Sequence, residues 1–296
     1  MTTVIGLTPD ERGREAVALG AMLARSNGDD LVVAVVVPSP WPPNPYRPDS
    51  EYLALQDEAA ERALDQARAQ LGPDLHAEYV LHRARSVSSG LVEVAERSGG
   101  TQIVLGSAST GLLGQVTLGG IADRIMHSSE LPVALAPGGF ASGPTETVQR
   151  VTVGFGRADR DSNLLATVSG VAESVRADLR VACFAVRPLS ASVGTIEPDA
   201  ERLVVDSWTR YLDEEVAAAL EGSRSGSVAT KAQTVVGQGG SWAEAIADVP
   251  WAAGDVLVIG ASSSPISAFF LGTHAAKILR NATVPVFLVP RSLVHA

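Results

Sequence analysis

The chain closes each of its halves in the same way, and that duplication limits what it can fold into. The first half ends with Ile103-Val104-Leu105-Gly106, a Ser/Gly-rich loop, Gly119-Gly120, a helix-like stretch and Leu131-Pro132-Val133-Ala134-Leu135-Ala136-Pro137. The second ends with Leu257-Val258-Ile259-Gly260, a Ser-rich loop, Gly272-Thr273, another helix-like stretch and Val284-Pro285-Val286-Phe287-Leu288-Val289-Pro290. A buried strand that runs through a small-residue loop into a helix N-terminus is the unit with which α/β proteins hold anions. Val4-Ile5-Gly6-Leu7 also matches Thr152-Val153-Gly154-Phe155, an offset of 148 in a chain of 296 residues, so the repeat spans half the molecule. Halves of this size can each bury their own core.

The alternation of short apolar runs with amphipathic stretches predicts β-α-β-α order around a parallel sheet. In the first half the strands are expected at Val4–Leu7, Leu31–Val37, Ala77–His82, Gln102–Gly106 and Pro132–Ala136. Helices are expected at Arg14–Arg25, Glu51–Leu71, Ser89–Arg97 and Gly120–His127. The second half repeats the order, with strands at Arg150–Phe155, Leu179–Val186, Ala229–Val236, Val256–Gly260 and Pro285–Val289. Its helices are expected at Asp161–Arg176, Ala200–Leu220, Ser241–Val249 and Thr273–Asn281, with Ser241 and Glu244 at capping-box spacing. The fold class is therefore α/β, two tandem doubly wound parallel sheets of five strands each. Gly138 to Gln149, rich in Gly and Pro and poor in bulky residues, reads as the connection, with domains at 1–139 and 150–296 and a linker at 140–149.

Composition excludes several functions. No apolar run is long enough to span a bilayer, and the N-terminus has no basic flank leading into an apolar stretch. The net charge of −10 disfavours nucleic acid, because an acidic surface gains nothing from a phosphate backbone. The two lysines, Lys231 and Lys277, follow no glycine loop, so the P-loop pattern is absent. The lone Cys183 supports neither a disulfide framework nor a Cys-based metal site and reads as a small buried strand residue, which points to the cytoplasm. His76, His82, His127, His274 and His295 show no metal-ligand spacing, so no metal is expected. Arg124 and Lys277, at equivalent places in the two halves, read as solvated helix-face residues. The six prolines between Pro38 and Pro48, with Trp41 and Tyr46 among them, predict a stiff, extended connection. No nucleophile–base pair or carboxylate pair sits on the strand-end loops, so a binding role is expected rather than an enzymatic one.

In a doubly wound sheet the ligand crevice opens where strand order reverses, here between the first and fourth strands of each half. The loops after Leu7 and Gly106 meet there in the first half, and those after Phe155 and Gly260 in the second. The helices beginning at Gly119 and Gly272 supply unpaired N–H groups and a positive dipole end, which together suit a phosphate.

At these residues the sequence resembles the universal stress protein family, over essentially the whole chain and in its tandem form. The resemblance rests on the glycine-loop pattern, G-x-x-G, nine residues, then G-[ST], and on the hydrophobic-Pro-Val ending of each half. It implies a stress-response protein that binds an adenine nucleotide, ATP or AMP, acts through protein partners and hydrolyses ATP slowly at most. The implied first-half ligand residues are Thr8, Gly106, Ser107, Ser109, Gly119 and Gly120; those of the second half are Gly156, Gly260, Ser262, Gly272 and Thr273. The match is incomplete. Ser109 replaces the middle glycine, Gly120 the terminal Ser/Thr, and the second loop is one residue short. Thr8 and Gly156 stand where the family carries an aspartate that helps hold the nucleoside. Losing that acceptor removes a charge-assisted hydrogen bond worth about 1.5–3 kcal/mol. The same reading allows loss of nucleotide binding altogether, leaving a partner-binding scaffold. Because such domains pair through their last strands, Pro132–Ala136 and Pro285–Val289 are expected to meet within one chain as an internal pseudo-dimer, with a homodimer of the whole chain as a further assembly.

Overall fold

A computed structural model of the chain describes residues 1–8, 13–39, 50–108, 114–155, 163–186, 232–260 and 273–290, with Leu293 and most of 207–218. The proline-rich connection with Trp41 and Tyr46 lies outside the described residues, as do much of the helix expected at Ala200–Leu220 and the start of the strand expected at Ala229.

The first half contributes β1 (Thr2–Leu7), α1 (Arg14–Asn27), β2 (Asp30–Pro38), α2 (Ser50–Gln70), β3 (Ala77–Ala84), α3 (Val87–Ser98), β4 (Gly100–Gly106), α4 (Gly120–Ser128) and β5 (Val133–Ala136). The second contributes β6 (Arg150–Gly154), α5 (Leu164–Ser174), β7 (Asp178–Val186), β8 (Gln233–Gly239), α6 (Trp242–Ala247), β9 (Asp255–Gly260), α7 (Thr273–Asn281) and β10 (Val286–Val289). The described residues between Ser207 and Ala218 are helical. The helix of the third βα unit, α3, begins earlier than its apolar periodicity suggests. Ser86 accepts the Ser89 N–H while the Ser89 hydroxyl accepts the Ser86 N–H, a Ser–Ser capping box that starts α3 at Val87. At α6 the Ser241 hydroxyl accepts from the Glu244 N–H, and the Glu244 carboxylate reaches back to the Gly240 N–H at 2.9 Å.

Within each half the strands are parallel, in the order β3-β2-β1-β4-β5 and, mirrored, β10-β9-β6-β7-β8. The two sheets join into one of ten strands, because β5 and β10 pair antiparallel with Val286 opposite Leu135, Phe287 opposite Ala134 and Leu288 opposite Val133. These strands carry only apolar side chains and have partners on both sides, so neither leaves an open edge. One apolar layer lies under α1, α2 and α5; the other lies under α3, α4, α6 and α7, and each runs continuously through both halves. The segment at 140–149 is packed rather than free. The Ser142 hydroxyl donates to the Ala18 carbonyl of α1, and the Val148 N–H donates to the Ser26 hydroxyl at its end.

At the N-terminal edge of the strands the halves diverge. The first uses a relay that ends on one carboxylate, Gln102 donating to the Thr3 hydroxyl at 2.8 Å and Thr3 to Asp29 at 2.9 Å, with the N-terminal ammonium 3.7 Å from Asp29. The second buries a cation together with its carboxylate partner. Arg180 is 0% exposed and donates to the Thr152 hydroxyl at 3.0 Å, the Pro250 carbonyl at 2.9 Å and Asp255 at 3.2 Å, with its guanidinium 4.7 Å from the Trp251 ring centre. Asp255 also accepts two bonds from Arg150 and one from the Ala252 N–H. Burial pushes the Arg180 pKa down, as does the neighbouring Arg150 charge, while Asp255 holds it up.

Candidate functional site

Strand order reverses between β1 and β4, and there the ladder stops early. Their pairing ends at Ile5 opposite Val104. By contrast β1 stays paired with β2 to Leu7, and β4 with β5 to Gly106. The last two residues of β1 and β4 therefore splay apart, and a crevice of about 310 Å³ opens between them. It is lined by Gly6, Thr8 and Gly13 from the first βα unit, Leu105 to Ala108 from the end of β4, and Gly119 to Ala122 from the start of α4. The second half has the same interruption, with β6–β9 pairing ending at Val153 opposite Val258 while β9–β10 runs on to Gly260.

Most of the lining residues are glycine, alanine or serine, and the N-terminus of α4 lies against the crevice. Gly119 is the N-cap and makes no side-chain capping bond, so the first-turn N–H groups of Gly120, Ile121 and Ala122 have no side-chain cap. Aligned peptide dipoles place about half a positive charge at such an end. A Cβ at Gly119 would stand 3.2 Å from the Ala108 Cβ, so the loop base and the helix start are already in contact. At Gly120 a Cβ would meet nothing within 4 Å, so this position faces open space. Among the described residues, none that lines the crevice carries a charged side chain. An anion here would be met by backbone N–H groups and the helix dipole.

Of the ligand residues expected in the first half, Thr8, Gly106, Ser107, Gly119 and Gly120 come together on this crevice. Ser109 lies outside the described residues, as do Gly156, Ser262 and Gly272. In the second half Gly260 ends β9, and Thr273 is the exposed first residue of α7. Sequence reasoning missed Gly6, Gly13, Leu105, Ala108, Ile121 and Ala122 as walls. Their signal was available, since each lies within about six residues of the end of β1, the end of β4 or the start of α4. Arg124 is exposed, as are Lys277 and His274, and both of the latter approach Trp242, with Lys277 Nζ 5.8 Å and the His274 ring centre 5.5 Å from its ring. Cys183 is only half-buried, and its thiol donates to the Phe155 carbonyl at 2.9 Å. Among the described residues there is no group of three or more His, Cys, Asp or Glu that could hold a metal ion, and no helix long and apolar enough to cross a membrane.

Ser107 proves to be an organiser of the loop. Its Oγ accepts the Thr117 N–H at 2.7 Å and donates to the Gln115 carbonyl at 3.3 Å, while the Ala108 N–H donates to the Thr117 carbonyl at 3.0 Å. These bonds tie the end of β4 to the limb that leads into α4. Ser107→Ala leaves the Thr117 N–H without its acceptor and is expected to cost about 1 kcal/mol of stability. Ser107→Thr is expected to restore it, as thermal melts of the two variants will show.

The sequence model of the universal stress protein family matches residues 1–137 and again residues 148–290. The chain belongs to the universal stress protein family. The chain is similar to a universal stress protein of Mycobacterium tuberculosis and to another of Mycobacterium bovis. Each is 30% identical over 298 residues, covering 98% of this chain and all of the relative. Among solved structures, a universal stress protein from Archaeoglobus fulgidus superposes with a TM-score of 0.60 at 15% identity, over 98% of each chain. A putative universal stress protein from Pseudomonas aeruginosa superposes with a TM-score of 0.53 at 14% identity, over 99% of this chain and 94% of the other. At such identities the structural likeness establishes the fold alone, and this universal stress protein has that fold twice.

Proposed function

We propose that this universal stress protein is a regulatory binding protein whose first-half crevice takes the phosphate of an adenine nucleotide, ATP or AMP, and that occupancy changes its contacts with protein partners. The observation that carries this reading is the uncapped N-terminus of α4 opening into the gap where the β1–β4 ladder stops. The residues fit such a group: the lining is mostly glycine, alanine and serine, and the open space beyond Gly120 is room that a side chain would otherwise fill. The N–H groups of Gly120, Ile121 and Ala122 are the donors for the phosphate. Thr8, in place of the aspartate of nucleotide-binding relatives, leaves the nucleoside part without a charge-assisted partner there, so affinity in the micromolar range is expected. The limits 1–139, 140–149 and 150–296 are our proposal for the two domains and their linker. A role in binding, with at most slow ATP hydrolysis, accords with the family.

The competing reading is a partner-binding scaffold in which the crevice is vestigial. It is favoured by the lack of any charged side chain among the described lining residues. Calorimetric titration of the nucleotide-stripped protein with ATP, with and without Mg²⁺, and with AMP separates the two. Micromolar binding with one site per chain is the expected result. No heat, together with no rise in melting temperature at millimolar ATP, overturns the nucleotide reading in favour of the scaffold.

A further inference from the structure

The limb that leads into the start of α4 at the first crevice is built partly on the other half of the chain. Its returning limb carries Val116, which is 1% exposed and belongs to the apolar layer that also contains Ile278 and Leu279 of α7. The Val116 N–H donates to the carbonyl of Ala282 at 3.1 Å. Ala282 is itself 0% exposed and follows α7 directly. Next to Val116 along the limb, Thr117 makes the bonds to Ser107 and Ala108 that tie the end of β4 to the limb. The crevice wall is thus tied to the second half two bonds away, across the β5–β10 junction. On its other side the limb is tied within its own half, where the Gly114 N–H donates to the Gly138 carbonyl at 2.7 Å.

We infer that Val116 is a positioning residue for the first-half ligand site, and that α7 and Ala282 of the second half complete that site from across the junction. The physical reason is rigidity. A limb buried in a close-packed layer has few alternative arrangements, so its position is set by the residues it packs on. Those residues belong to a helix of nine residues, about 13 Å long, whose opposite end starts at Thr273 in the second half's own loop. Ligand contact at Gly119 and Gly120 draws the limb against Ala282, and a loosened Ala282 contact lets the crevice loop drift. This inference rests on the nucleotide reading above.

The test uses the full chain, ATP as the probe, and both calorimetry and amide exchange. Val116→Ala is expected to weaken ATP binding about tenfold, and Val116→Ile to restore it to within about twofold. Val94→Ala, a truncation in the same apolar layer on α3 rather than on the limb, is expected to lower the melting temperature similarly while leaving the affinity unchanged. In the wild-type protein ATP is expected to slow exchange at 106–122 and also at 278–284. Equal losses of affinity in Val116→Ala and Val94→Ala overturn the inference and leave the nucleotide reading standing. So does slowed exchange at 106–122 with none at 278–284. No binding and no change at 106–122 in the wild-type protein overturns both.

Discussion

Replacing Asp255 by alanine is expected to lower stability by about 3–5 kcal/mol, the cost of leaving a buried charge without its partner. Arg180 is the charge left behind. Its side chain is 1% exposed, and its other contacts, to the Thr152 hydroxyl, the Pro250 carbonyl and the Trp251 ring, are neutral. Arg150 is less affected, because its side chain keeps 23% of its surface and can turn to water. With an unfolding entropy of about 2.1 cal/mol/K per residue, 1 kcal/mol shifts the melting temperature of a 296-residue chain by about 1.6 °C, so it should fall by roughly 5–8 °C. The sign reverses for a paired change. Arg180→Leu combined with Asp255→Leu removes both desolvation penalties, and such swaps are commonly neutral or stabilising by about 1–4 kcal/mol. The double variant should therefore be more stable than Asp255→Ala alone. If thermal melts show the double variant to be the less stable of the two, the buried pair contributes net stability and the account of Arg180 as a stranded charge fails.

The second large effect is on binding. Gly120→Asp is expected to abolish nucleotide affinity without loss of stability. A Cβ at Gly120 meets nothing within 4 Å, so the side chain is accommodated. A carboxylate in the first turn of α4 also interacts favourably with the helix dipole, by about 0.3–1 kcal/mol. The same carboxylate faces a phosphate in the crevice. Two unit charges at about 4 Å repel by about 4 kcal/mol at an effective dielectric constant of 20. Even half of that lowers affinity about thirtyfold. Gly120→Ala serves as the control, since it adds the Cβ without the charge. Calorimetry with ATP and a thermal melt of each variant are the measurements. Retention of wild-type affinity in Gly120→Asp would place the phosphate elsewhere and remove α4 from the site.

The elements were legible in the sequence to within a few residues because parallel strands buried on both faces read as unbroken apolar runs. Leu31–Val37 is such a run, and β2 extends it by one residue at each end. The α7 boundaries match the expectation at both ends, since an amphipathic stretch between a glycine loop and a proline-flanked strand is bounded on each side. The α3 start was missed because Ser86 and Ser89 cap each other, and a serine pair is a weaker signal than Ser–Glu. The crevice was legible for a related reason. Strand order in a doubly wound unit brings the ends of its first and fourth strands together, so the loops after Leu7 and Gly106 and the helix start at Gly119 could be placed at one crevice, while Thr8 and Gly120 were implied by the family resemblance. What Ser107 does there could not. Its partners, Gln115 and Thr117, are reached only when the loop folds back on itself.

The sequence by itself determined the α/β class, the duplication, the order of the strands and the places where small residues let a ligand approach. Each follows from local periodicity or from a motif a few residues long. Only the tertiary structure decided that Asp255 meets Arg180 across 75 residues, that Val116 hangs from Ala282 across the junction, and how β5 and β10 align. Arg180 is the one charge in the apolar run Leu179–Val186, which marks it as unusual but names no partner. A partner distant in the chain is chosen by strand register and helix packing. Those depend on the simultaneous burial of both apolar layers, and no single segment encodes them.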